Sequence, residues 1–201
     1  MESSNRILDF LYRYQFSKNL IYRILKARAR DLAGMVSPHL NKDELILDIG
    51  PASCTVTEAL IQQDLKVFPL DVENFSIVEK VVPTLYDGYR MPFKDDQFDT
   101  SLILFVLHHT PDPIKVLAEV KRVSRKILIL EDIVTSPAHK SMTAALDSLM
   151  NLEFYDQPHT NKSDEEWRSI FNELGLEVKA QKYNSSMAVM KHAMYFLEKQ
   201  S

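Results

Sequence analysis

Four short apolar runs, each ending in a polar or acidic residue, limit this chain to few folds. They are "ELILDIG" (44–50), "LKVFPLDVE" (65–73), "FDTSLILFVLHH" (98–109) and "RKILILEDI" (125–133). Runs of this length bounded by turn signals read as buried strands. Helical segments stand between them: "TVTEALIQQ" (55–63), and "PDPIKVLAEVKRVS" (111–124), opened by prolines, with Ile114, Leu117, Val120 and Val123 on one stripe. Strands alternating with helices imply right-handed crossovers, hence an α/β fold with a mostly parallel sheet covered on both faces. Ligands of such sheets bind beyond the carboxyl ends of the strands, where the strand order reverses. Those ends carry Asp48, Asp71, His108–His109 and Glu131–Asp132, so polar groups gather along one edge.

The flanks are helical before the sheet and mixed after it. Ile7, Leu11, Tyr14, Ile21, Ile24, Leu25 and Leu32 recur at helical spacing up to Pro38. Beyond the fourth run come a helix, "HKSMTAALDSLMNLEF", a polar loop, and a second helix, "SDEEWRSIFNELG", with Ser163 as its expected N-cap. "LEVKAQKY" and "AVMKHAMYFLEK" read as late strands. There is no repeat, low-complexity tract or linker, so the 201 residues are expected to form one domain.

Several function classes drop out on composition. A single cysteine excludes an intramolecular disulfide and a four-cysteine zinc site, and a reducing, cytoplasmic setting is expected. Charges interrupt the N-terminal apolar run, unlike a signal peptide, and no run of 18 uncharged apolar residues exists. Residues 1–30 hold seven Lys/Arg against two Asp/Glu, a net of +5, so the rest of the chain carries −9 of the overall −4. An acidic body argues against a nucleic-acid partner. The basic N-terminal helix admits either a solvated face or peripheral contact with a membrane surface.

One stretch is more specific than the pattern around it. "DGYRMPF" (87–93) is followed by "FDTSLILFVLHHTPDPIKVLAEVKRV". Together they resemble the class I S-adenosylmethionine-dependent methyltransferases, in the group of small-molecule enzymes whose adenine loop reads Asp, three residues, Leu-Pro-Phe. The likeness spans about residues 44–132, and "EEWRSIFNELGLEV" is also similar to a late helix–strand unit of that family. The resemblance implies a Rossmann-like, doubly wound, mostly parallel seven-stranded sheet with helices on both faces. It further implies an N-terminal helical cap (1–40), a cofactor-binding core (44–132) and an acceptor-side cap (133–165). The implied cofactor is S-adenosyl-L-methionine, and the implied partner is a small-molecule acceptor, on a monomer or homodimer with no metal. Aromatic and methionine residues in the two caps, among them Phe10, Tyr12, Tyr14, Tyr22, Met142, Met150, Phe154 and Tyr155, suggest an apolar or aromatic acceptor.

The same resemblance distributes roles. Asp48 falls where the family places an acid near the cofactor's ammonium, the alternative being a loop-bracing Asp. Gly50 and Ala52 belong to the loop over the cofactor, where glycine lets the backbone approach the ligand. Asp71, 23 residues after Asp48, matches the acceptor for the ribose hydroxyls, with Val72 beside it; Asp87 matches the acceptor for the adenine amine, with Gly88 facing the ring. Met91 and Phe93 would pack nearby or simply fill the core. Phe105 and Leu107 line the methionine arm or belong to the core. A base is needed only if the acceptor must lose a proton. The candidates are His108, His109, Asp132 and His159; strand alternation would send the two adjacent histidines to opposite faces, and His109 and His159 are the residues chosen. Two departures stand out: Ala52 and Cys54 replace glycines, and "VSRKILIL" lacks a Lys-Pro-Gly-Gly turn. Cys54 is either a packing residue or a low-pKa thiol at a helix start. The competing reading is a catalytically silent protein of this fold that serves as a binding or partner module. A nicotinamide dehydrogenase is disfavoured, since Gly-x-Gly-x-x-Gly is absent.

Overall fold

The computed structural model describes residues 15–151, 160–186 and 190–200. Helices α1 (Gln15–Val36), α2 (Thr55–Ile61), α3 (Pro113–Val123), α4 (Pro137–Asn151) and α5 (Asp164–Glu173) accompany seven strands. The strands are β1 (Leu45–Ile49), β2 (Lys66–Asp71), β3 (Thr84–Leu85), β4 (Phe98–Leu104), β5 (Ser124–Ile133), β6 (Leu176–Ser186) and β7 (Met190–Lys199). They form one sheet in the order β3-β2-β1-β4-β5-β7-β6. The first five strands are parallel, while β7 runs antiparallel to β5 and β6 antiparallel to β7. The order reverses between β1 and β4, where Asp48 pairs with Leu102 and Ile49 with Ile103. The crevice expected of a doubly wound sheet therefore opens beyond the carboxyl ends of these two strands.

Alternation along the strands supplies both hydrophobic layers. On one face Leu47, Ile49, Ile103, Ile127, Ile129 and Tyr195 pack against Leu117 and Val120 of α3 and Trp167 and Phe171 of α5. On the other face Ile46, Leu102, Leu128, Leu130 and Met194 meet Ala33 and Val36 of α1 and Leu60 of α2. Pro69 is tolerated within β2 because β3 begins opposite Leu70, so the missing N–H falls where the outer side of β2 has no neighbour.

Local signals set the helix ends. Asp112 caps α3 by accepting from the Lys115 amide, with Pro113 at its first turn. Ser163 caps α5 in a reciprocal box with Glu166. On α3, Val116 takes the buried place expected of Ile114, which is 43% exposed. At about 100° per residue, Val116, Leu117, Val120 and Val123 cluster on one face, and Ile114 falls well outside it. Ile24 is likewise 62% exposed, because the buried stripe of α1 runs through Ala29, Ala33 and Val36.

The largest departure concerns the third apolar run. It stops as a strand at Leu104, and residues Leu107–His109 form a 3₁₀ turn. Glu131 on β5 accepts from the backbone amides of Val106 (2.7 Å) and Leu107 (2.6 Å), taking donors that a continuing ladder would have needed. The short β3 had no counterpart among the expected strands, since two residues carry no usable periodicity.

Candidate functional site

The β1–α2 loop is built from backbone conformations that side chains rarely adopt. Gly50 (φ 63°), Ala52 (φ 44°) and Cys54 (φ 56°) all lie in the left-handed region. At Gly50 a Cβ would meet Val106 Cγ1 at 2.7 Å, so its lack of a side chain lets the loops after β1 and β4 approach each other. Ala52 holds its conformation with a methyl group, at roughly 1–2 kcal/mol. Ala52→Gly relieves that strain but loosens the unfolded chain; a net gain of about 1 kcal/mol, read as a melting temperature about 2–4 °C higher, is expected. A lower melting temperature would show that the loop bears no such strain. Cys54 is buried against Val78 and Val81, and burial pushes its thiol up to about 11, so it is a packing residue.

Two acids sit beside this loop. Asp71, at the end of β2, accepts from the Ala52 amide through Oδ2 (3.1 Å) and from the Val72 amide through Oδ1 (2.7 Å). Burial raises its carboxyl above the ordinary carboxylate range, and these amide bonds oppose the rise. Asp48 is only 2% exposed and accepts from the Thr57 hydroxyl at 2.6 Å. Its carboxyl is pushed up to about 7, mainly by burial, with Asp71 adding repulsion. It thus lies beneath the loop with its ionised form disfavoured.

The segment after β3 forms the third side. Asp87 Oδ1 accepts from the amides of Tyr89 (2.9 Å) and Arg90 (3.0 Å), which hold its carboxyl below the usual range. Gly88 (φ 80°) lies in the left-handed region beside Val72, where a Cβ would make ordinary contact with Val72 Cγ1 at 3.5 Å. Val72 is itself 57% exposed, an open apolar ledge beside a buried carboxylate. Two α3 residues, unrecognised from sequence, clamp this segment: Glu119 accepts from the Met91 amide at 2.9 Å, and Arg122 donates to the carbonyls of Met91 and Phe93. Met91 is core, and Phe93 packs on Phe98.

At the ends of β4 and β5 the candidate residues divide. His108 is buried and bonded through Nδ1 to Glu131 at 2.6 Å. His109 is half-buried, its ring centroid 4.1 Å from that of His108. Both therefore leave the same turn side by side, contrary to the strand alternation expected of them, because that alternation ends at Leu104. Phe105 is half-buried with φ 59°; its ring lies 5.2 Å from His192 and under the Arg28 guanidinium at 5.9 Å. Asp132 bonds His192 Nδ1 at 2.5 Å. Nothing local marked His192, which lies in the strand-like run of β7. His159, Phe10, Tyr12, Tyr14, Phe154 and Tyr155 lie outside the described residues. Among the described residues, no group of three or more His, Cys, Asp or Glu is arranged to hold a metal, and no helix is long and apolar enough to cross a membrane.

Comparison with known proteins adds a family signal to this geometry. A family model described as a methyltransferase domain matches residues 47–127. No curated protein matches the chain at the sequence level. Among solved structures, a SAM-dependent methyltransferase from Methanosarcina mazei aligns with a TM-score of 0.63 at 15% identity, covering 83% of this chain and 97% of that one. Magnesium protoporphyrin IX methyltransferase from Synechocystis PCC 6803, with bound SAH, aligns at 0.61 and 13% identity, covering 92% and 88%. The [4+2]-cyclase SpnF aligns at 0.63 and 12% identity, covering 85% and 80%. At these identities the structural likeness establishes the fold.

Proposed function

We propose, from the premise of a methyltransferase domain on the Rossmann-like methyltransferase fold, that this chain binds S-adenosyl-L-methionine and transfers its methyl group to a small apolar or aromatic acceptor. The observation that carries this reading is the pairing of buried Asp71 with the exposed Val72 ledge opposite Gly88. Each Asp71 oxygen spends one lone pair on a backbone amide and keeps acceptor capacity for a ribose hydroxyl. An adenine ring would cover Val72 and Gly88, and Asp87 Oδ2 would accept from its amine. Gly50 and Ala52 would lie along the methionine arm, Asp48 would act on its ammonium through the field, and Phe105 would close the far side. The cofactor supplies an electrophilic methyl, and the protein's part is to place a nucleophile in line with it. His109 belongs to this reading as a histidine on the acceptor side.

Calorimetric titration with S-adenosylmethionine and S-adenosylhomocysteine tests it. Both are expected to bind, and no heat at millimolar ligand would sink the assignment. Asp48 adds a pH signature with a defined sign. Its carboxyl is protonated below about pH 7 in the free protein, whereas a cationic ammonium favours the ionised form. Affinity for S-adenosylhomocysteine should therefore strengthen as pH rises from about 5.5 to about 7.5, with proton release on binding. Asp48→Asn should flatten that dependence. A pH-independent wild-type affinity would place the ammonium elsewhere.

The second reading, a protein of this fold that does not transfer methyl groups, draws on the strained Ala52 and Cys54 positions and on the cyclase neighbour. Cofactor binding without methylation of any small apolar acceptor would favour it.

A further inference from the structure

We propose that His192, oriented by Asp132, is the general base that takes a proton from the methyl acceptor; this rests on the cofactor reading above. The pair lies at the same sheet edge as Asp48 and Asp71. Asp132 is the penultimate residue of β5, and His192 is the third residue of antiparallel β7, its direct partner in register. The two are 60 residues apart in sequence and joined by a 2.5 Å contact between Asp132 Oδ1 and His192 Nδ1.

The neighbouring acids on β5 face opposite sides and do different work. Glu131 is spent on structure: it holds two backbone amides and His108, and it ends β4. Asp132 bonds the His192 imidazole and, among the described residues, no backbone group. A carboxylate on Nδ1 fixes the proton there and places the ring's basic lone pair on Nε2, the arrangement of an oriented general base.

The surroundings point to the reacting centre. The His192 ring packs edge-on against Phe105, the residue that leaves β4 beside the β1/β4 crevice in a left-handed conformation. Strain of that kind is retained where a side chain must be aimed. Among the described residues, the charged groups with a contact to this ring pair are Asp132 on β5, bonded to His192, and Arg28 on α1, over the Phe105 ring; Asn184 of β6, opposite His192 in register, is neutral. Phe105 would thus floor the gap between the cofactor's sulfonium end and the base, with the acceptor lying across it.

The step balances simply. The acceptor heteroatom gives its proton to His192 Nε2 and bonds the methyl carbon. The carbon–sulfur bond breaks with its electron pair staying on sulfur. Asp132 stabilises the imidazolium until the proton passes to water. His192 touches the acceptor in this scheme, and Asp132 is a positioning residue.

The test uses wild-type protein labelled with ¹⁵N-histidine, the His192 signal being assigned by its loss in His192→Gln or His192→Asn. Two ligands are compared: S-adenosylhomocysteine, and the cofactor analogue carrying an amine in place of the methyl sulfonium. The protonated amine should lower the His192 titration midpoint by about one pH unit relative to S-adenosylhomocysteine, through like-charge repulsion at short range. Asp132→Asn should move the ring to the other tautomer, a change visible in both ring nitrogens. Binding of both ligands with the same His192 midpoint overturns the base assignment and leaves the cofactor reading standing. Failure of both ligands to bind overturns the two together.

Discussion

Replacing Glu131 by alanine is expected to destabilise the protein by about 3–5 kcal/mol, the scale for breaking a buried charged network. The side chain is fully buried and accepts three hydrogen bonds, from the Val106 and Leu107 amides and from His108 Nδ1. Alanine leaves all three donors in a dry site, at roughly 1–3 kcal/mol for each one unsatisfied. For a chain of this size the loss corresponds to a melting temperature lower by about 6–20 °C. Glu131→Gln should lose less than alanine, since it retains one acceptor oxygen for the two amides but turns an NH2 donor toward His108 Nδ1. Thermal and urea unfolding followed by circular dichroism measure both variants. A loss within about 1 kcal/mol for alanine would mean that the turn after β4 holds by other contacts. The consequence reaches beyond stability, because this carboxylate sets where β4 stops. Without it the Phe105–His109 segment loses its shape, and the crevice loses one wall.

The second large effect is on ligand affinity. Asp71→Ala is expected to weaken S-adenosylhomocysteine binding at least 100-fold. Hydrogen bonds to a charged acceptor contribute about 1.5–3 kcal/mol each, and two ribose hydroxyls share this carboxylate in the proposed site. Loss of both is on the order of 3–5 kcal/mol, where 1.4 kcal/mol is a factor of ten. The Ala52 and Val72 amides also lose their acceptor, so the comparison needs Asp71→Asn, which keeps the volume and one acceptor oxygen. Calorimetry on both variants, with their melting temperatures as folding controls, reads the outcome. An affinity within threefold of wild type in a folded Asp71→Ala protein would move the ribose away from β2.

The parts of the site legible from the chain are those whose signal is local. Asp48 and Asp71 end apolar runs, so the same pattern that identifies each strand locates its acid. Ser163 announces its helix through the capping box that begins three residues before Glu166. Ile114 and Ile24 show the limit of the method: both are apolar and near a plausible stripe, yet which arc of a helix faces inward depends on the sheet beneath it. The adjacent histidines show a sharper limit. Their reading rested on β4 continuing to His109, and a carboxylate more than twenty residues downstream ended it at Leu104.

Alternating buried runs and helices, and Asp48 and Asp71 at the strand ends, followed from sequence alone, because hydrophobic period and strand-end chemistry are properties of neighbouring residues. Tertiary structure alone decided that Gly50 makes room for Val106, that Ala52 is held left-handed, and that Asp132 meets His192 across β5 and β7. Each of these depends on groups far apart in the chain, which face one another only after the sheet has assembled in its order and register.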